Sequence, residues 1–242
     1  MPEQPFDSVL SHIRTDLAEA ADPATQASGQ RFFKGGTKAY GVKTQTVITI
    51  AKAHLKQVKA AHATKADIFW LCAQLWASGY MEEAFVACVF TESLKTVTEP
   101  ADFAVYDDWV RRYVTNWATC DTLCNHTVGD LLMRFPDEAE RLTVWAASDQ
   151  RWVKRAAAVS LIIPVRRGLF HPLAFRIADT LLTDDDDMVQ KGYGWLLKAV
   201  SEADQPAVFN YVIAHKAAMP RTALRYAIEK MPPELKQQAM AR

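Results

Sequence analysis

The sequence predicts an all-α fold, a solenoid of antiparallel helix pairs, and three observations predict it. Apolar residues recur at three- and four-residue intervals, as in KADIFWLCAQLWASGYMEEAFVACVF, the period of a helix with one buried face. Gly and Pro are few, 9 and 11 in 242 residues, and the alternation typical of strands is scarce. A polar, basic, small-residue pattern also returns about every 35 residues, the mark of stacked repeats.

In chain order the periodicity places a first helix near 6–21, closed by the glycine turn KGGTKAYG. Helices near 44–61, 65–77 and 81–95 follow, up to the break TEPAD. Helices near 101–114 and 118–133 lead to FPDEAE, and one near 137–147 to ASDQRW. The next spans about 151–163 before PVRRGLFHP, and another 170–182 before TDDDD. Helices near 187–200, 204–215 and 221–230 complete the set, with ADQPA between the first two. The short connections favour antiparallel hairpins.

The repeat is visible when WVKRAAAVSLI, from Trp152, is set under MVQKGYGWLLK, from Met188, 36 residues later. Val153 then meets Val189, Arg155 meets Lys191, Ala156 meets Gly192 and Leu161 meets Leu197. MEEAFVACVF and CDTLCNHTVG fall near the preceding steps, and PRTALRYAIEKM follows. Two helices per unit of about 35 residues point to an α-solenoid of HEAT-like antiparallel helix pairs, read as one domain over 1–242. An irregular helical bundle is the competing architecture.

Composition narrows the function classes. Half the residues are hydrophobic, enough for a substantial core. No apolar run reaches the length of a membrane span, and MPEQPFDSVLSHIR lacks the character of a signal peptide, so a cytoplasmic protein is expected, nucleoid-associated if bacterial. Cys72, Cys88, Cys120 and Cys124 lie in apolar helical stretches and read as reduced, buried thiols. No Cys or His pairs carry zinc-site spacing, and the six histidines show neither ligand nor triad spacing, so no metal is expected.

Net charge is zero, with 28 basic and 28 acidic residues, yet the charges are segregated. Between Pro23 and Ala66 there is no acid, while Arg31, Lys34, Lys38, Lys43, Lys52, Lys56, Lys59 and Lys65 all fall inside. Gln150 to Ala178 is likewise free of acids and holds Arg151, Lys154, Arg155, Arg166, Arg167 and Arg176. Such clustering suits a polyanionic partner, although solvated helix faces produce the same pattern. The acidic run TDDDD reads as a solvated loop ahead of a helix N-terminus rather than a metal site, and KGG as a turn.

One stretch poses a sharper question. In TNWATCDTL, Trp117 and Asp121 are four residues apart on one helical face. Asp121, Arg155 and Lys191 follow one another at intervals of 34 and 36 residues, so the repeat aligns them, and Trp195 shares the face of Lys191. If the second helices line the inner curve, an acid, two indoles and a row of bases meet there. Asp121 as a helix N-cap, Arg155 as a structural ion pair and the tryptophans as core packing are the plainer alternatives.

At these residues the chain resembles the AlkD-like DNA alkylation repair glycosylases. FFKGGTKAYGVKT, LWASGYMEEAFVA, NWATCD, WVKRAA and QKGYGWLL resemble that family's segments, in order, through nearly the whole chain. The resemblance implies a glycosylase that removes positively charged N3- and N7-alkylated purines from double-stranded DNA, without metal or cofactor, as a monomer. It places the catalytic groups at Asp121, Trp117 and Trp195 and a phosphate contact at Arg155. Lys191, Lys34, Lys38 and Lys43 are further candidates for the DNA backbone. The chain departs from relatives at Asn116, Ala118, Phe32 and Gln45. A DNA-binding solenoid without catalysis, and a protein-interaction scaffold, are the other function classes.

Overall fold

The computed structural model describes residues 6–241, and every regular element among them is helical. The chain forms two compact units. The first runs to Thr98 and includes Arg112–Thr122; the second comprises Glu99–Arg111 and the chain from Leu123 onward.

The first unit is built from α1 (Asp7–Glu19), α2 (Pro23–Gln30), α3 (Thr44–Ala60), α4 (Lys65–Ala77), α5 (Met81–Glu92) and α7 (Trp117–Thr122). Helix α6 (Asp102–Tyr113) has its first ten residues in the second unit and its end in the first. In α1 the buried residues are Leu10, Ile13 and Leu17, and in α3 Val47, Ala51, His54 and Val58: one stripe each, at helical spacing. These stripes bring α1 against α3, while α5 packs on both α3 and α4. Thr64 and Asp67 form a reciprocal capping box that starts α4.

Helix α2 buries no residue and is held by polar contacts instead. Asp22 caps it, accepting from the Thr25 hydroxyl at 2.6 Å and from the N–H groups of Thr25 and Ala24, and these bonds, the hydroxyl's first, hold its carboxyl below the usual range. Gln26 donates to the Ala39 carbonyl at 2.7 Å, and Gln30 pairs with both backbone groups of Thr37. The extended segment after the glycine turn is thus hydrogen-bonded by glutamines rather than by a strand.

In the second unit come α8 (Gly129–Arg134), α9 (Arg141–Ala146), α10 (Arg151–Val159), α11 (Ile162–Arg166), α12 (His171–Thr180), α13 (Asp187–Ser201), α14 (Gln205–His215), α15 (Arg221–Ala227) and α16 (Pro233–Met240). Helix α13 is central: α10, α11, α12, α14 and α15 all pack on it. The single helix expected over 118–133 is instead α7, a π-helical stretch Leu123–Val128, and α8. The widened turns leave Asn125 Oδ1 and Thr127 Oγ1 buried without a hydrogen-bond partner among the described residues.

Polar rungs join residues 30 to 38 apart. Trp145 Nε1 donates to Asp107, and Arg176 to Glu140; Arg151 pairs with Asp186 and Lys154 with Asp184. Arg166 meets Glu202, Lys198 meets Glu229, and the Tyr211 hydroxyl donates to Asp179. Exposed rungs contribute little each, typically under about 1 kcal/mol, but they fix the register of one helix pair on the next. The acidic run is accordingly more than a solvated loop. Asp186 caps α13 through the N–H groups of Met188 and Val189, and Asp184 takes a lysine from α10.

Among the described residues no cysteine forms a disulfide, all four are buried, and burial pushes the Cys72 thiol up to about 12. Trp76 and Trp145 lie in the core, and Trp70 and Trp152 are half-buried. Among the described residues no helix is long and apolar enough to cross a membrane.

Candidate active-site residues

In the first unit, Trp117 and Asp121 occupy one face of α7, and both are half-buried. The capping role belongs to Asn116, whose Oδ1 accepts from the Thr119 N–H at 3.0 Å. Asp121 therefore stands in the body of the helix, where its carboxylate has no helix-starting duty. Asn116 also reaches back, its Nδ2 donating to Thr37 Oγ1 at 3.4 Å.

The FFKGG segment holds the indole. Trp117 Nε1 donates to the Phe32 carbonyl at 3.2 Å, and the Phe33 ring stacks on Trp117 with centroids 5.6 Å apart. Phe32 turns its own ring outward, 68 % exposed. An indole so clamped presents a fixed π surface at low entropic cost, as a cation-binding wall requires.

Beneath this lies a constellation that sequence reasoning missed. Glu82 and Glu83, on the first turn of α5, are each only 1 % exposed. Glu82 accepts from three successive backbone N–H groups, those of Tyr40, Gly41 and Val42, at 2.8 to 3.1 Å. Glu83 accepts from the Tyr40 hydroxyl at 2.8 Å and from Arg14 Nε at 3.1 Å. Burial and the Glu83 carboxylate raise the Tyr40 hydroxyl above its ordinary range. Gly41 completes the arrangement: its φ is +88° and a Cβ would lie 2.6 Å from that of Gln26. Two adjacent acids inside an otherwise apolar helix were the available signal.

The N-terminal lysines Lys34, Lys38 and Lys43 are all exposed. Lys38 Nζ donates to the Ser78 carbonyl at 2.9 Å and sits 4.1 Å from the centre of the Tyr80 ring.

In the second unit Arg155 is 5 % exposed and donates from Nη1 to the Met188 carbonyl at 2.6 Å. Its stem runs over Gly192, where a Cβ would approach Arg155 Cγ to 3.2 Å. Arg155 thus bridges α10 to the first turn of α13. Lys191 pairs with Asp187 at 3.1 Å, and Trp195, one turn further along α13, is half-exposed. Gly194 lets α15 approach: a Cβ there would lie 2.7 Å from Tyr226 Cβ and 2.8 Å from the Ala223 carbonyl. The two glycines of QKGYGWLL are thus packing requirements, and they leave Trp195 at the surface beside them.

The model of the family described as DNA alkylation repair enzymes matches residues 13–231 of the chain. Among solved structures, the fold is similar to that of a protein from Enterococcus faecalis described as a predicted DNA alkylation repair enzyme. The TM-score is 0.78 at 14% sequence identity, over 88% of this chain and 97% of the other. None of the curated proteins compared gives a significant match.

Proposed function

Because the chain belongs to the DNA alkylation repair enzyme family, we propose that it is a glycosylase hydrolysing the N-glycosidic bond of positively charged N3- and N7-alkylated purines in double-stranded DNA. The free base leaves and an abasic site remains. One observation supports this reading: Asp121 shares a half-buried helical face with a clamped indole, while Asn116 has taken over the capping duty.

The chemistry suits those two groups. An alkylated purine cation departs without protonation, so the demand is at the sugar, where positive charge grows as the bond breaks. A carboxylate held there stabilises that charge and orients the attacking water. Trp117 offers the cationic base its π face, worth about 0.5–2 kcal/mol, and so favours damaged over neutral bases. Trp195 supplies a second indole of the same kind. Arg155, 5 % exposed and bonded to the Met188 carbonyl, serves first as a support of α13 and second as a phosphate anchor. Lys34, Lys43 and Lys191 contribute backbone contacts, and Lys38 orders the segment around them.

The test is single-turnover release of 7-methylguanine from methylated duplex. Asp121→Asn is expected to lose at least about tenfold in rate, equivalent to about 1.4 kcal/mol of transition-state stabilisation. Unchanged release would remove Asp121 from the chemistry. Binding with no abasic product from the unaltered protein would leave a DNA-binding solenoid in place of an enzyme.

A further inference from the structure

Lysine residues on α3 suggest a second surface. Lys52, Lys56 and Lys59 are spaced at i, i+4 and i+7, so they form one row on the helix, and all three are exposed. The opposite stripe, Val47, Ala51, His54 and Val58, faces the core, so the row cannot turn inward. Helix α3 contains no acid, and none of the three lysines takes part in an ion pair or hydrogen bond among the described residues.

The contrast with the other basic stretch is what gives this row weight. Arg151, Lys154, Arg166 and Arg176 looked equally unopposed in sequence, yet each meets an acid from a neighbouring repeat. On α13, too, Lys191 has Asp187 one turn away. Lys59 in the last turn is favoured by the helix dipole, but Lys52 and Lys56 lie too far inside for that.

We infer that Lys52, Lys56 and Lys59 form a docking strip for the phosphate backbone of duplex DNA, separate from the groups assigned to excision. Seven residues of helix span about 10 Å, and one DNA strand carries a phosphate about every 3.4 Å of axis, so the strip matches roughly three phosphates. It reads no sequence and touches no reacting atom. Its part is to hold undamaged flanking duplex and to make binding steeply salt-dependent. The inference rests on duplex DNA being the substrate, as proposed above, but not on the excision chemistry.

The experiment uses the full chain with all three lysines changed to Gln (K52Q, K56Q, K59Q), against an all-Arg version. Binding to an unmodified duplex is measured between 50 and 200 mM salt. Each lost phosphate contact lowers the salt slope by about 0.9, so the Gln variant should show a slope smaller by about 2.7, a salt response about 40-fold weaker across that range. The Arg variant should keep the parent slope, and single-turnover base release at saturating protein should stay within about twofold. An unchanged slope for the Gln variant, or an equal loss for the Arg variant, overturns the strip. Failure of the parent protein to bind duplex at all overturns it too. Base release with an unchanged slope removes the strip but leaves the glycosylase standing; a reduced slope with no release by the parent does the reverse.

Discussion

Glu82 shows how a single side chain can set a whole segment. One carboxylate, almost fully buried, gathers three consecutive N–H donors from residues forty positions earlier. Hydrogen bonds to a charged group are worth about 1.5–3 kcal/mol each, and a donor stranded in the interior costs a similar amount. Glu82→Gln keeps one acceptor but turns an amide N–H2 onto the same donors. It is expected to lower stability by about 2–3 kcal/mol, read as an earlier urea midpoint with the slope unchanged. None of this could be read from spacing, because partners so far apart leave no period in the sequence. Trp117 and Asp121 were legible for the opposite reason: a four-residue interval is a geometric statement once a helix is granted. What spacing could not tell was that Asn116, not Asp121, begins that helix, since both residues cap well.

Among the helices, legibility followed the width of the apolar stripe. Those with a clear buried face, such as α1, α3 and α13, lie within a few residues of their expected bounds. Helices α2 and α16 escaped notice. The first buries nothing and the second only Ala239, so neither has a hydrophobic period, although both carry a proline in the first turn. The π-helical turns at Leu123–Val128 were hidden because a six-residue segment, LCNHTV, is too short to show a change of pitch in its pattern. Packing between helices yields its own expectation. Gly194→Ala sets a methyl 2.7 Å from Tyr226 Cβ and 2.8 Å from a backbone carbonyl, so α13 and α15 must part. The loss should be about 1–3 kcal/mol in a urea titration, despite the better helix propensity of alanine. No change in midpoint would mean that α15 shifts freely.

Taken whole, the molecule is electrically neutral, but its cations are used unequally. The repeat brings acids to most of the arginines between 151 and 176, a neutralisation invisible in sequence because each partner stands a repeat away. Among the described residues the lysines of α3 receive no such partners. Protons held in the interior add a pH dependence. Burial raises Cys72 to about 12 from 9.0, and raises the hydroxyls of Tyr40, Tyr193 and Tyr211 above their usual 10.0. Unfolded, these groups release protons near their ordinary values, whereas the folded chain retains them. Their contribution is complete below about pH 9 and is lost as pH rises toward 12. Urea midpoints should fall steadily from pH 9 to 11; a flat profile would show that water already reaches these hydroxyls. The same burial predicts that Cys72 in the folded protein resists alkylation by iodoacetamide at pH 7.5 and reacts on unfolding.

Rungs that join residues 30 to 38 apart restrict how a chain of this kind can change length during evolution. Losing one residue between Arg151 and Lys154 in α10 turns the side chains on either side of the gap by about 100° relative to one another, so Arg151, Lys154 and Arg155 could not all keep their partners. Duplicating or dropping a complete helix pair leaves every surviving rung in phase. Natural variants of this chain should therefore differ in length by whole pairs or at exposed turns, and seldom inside a helix.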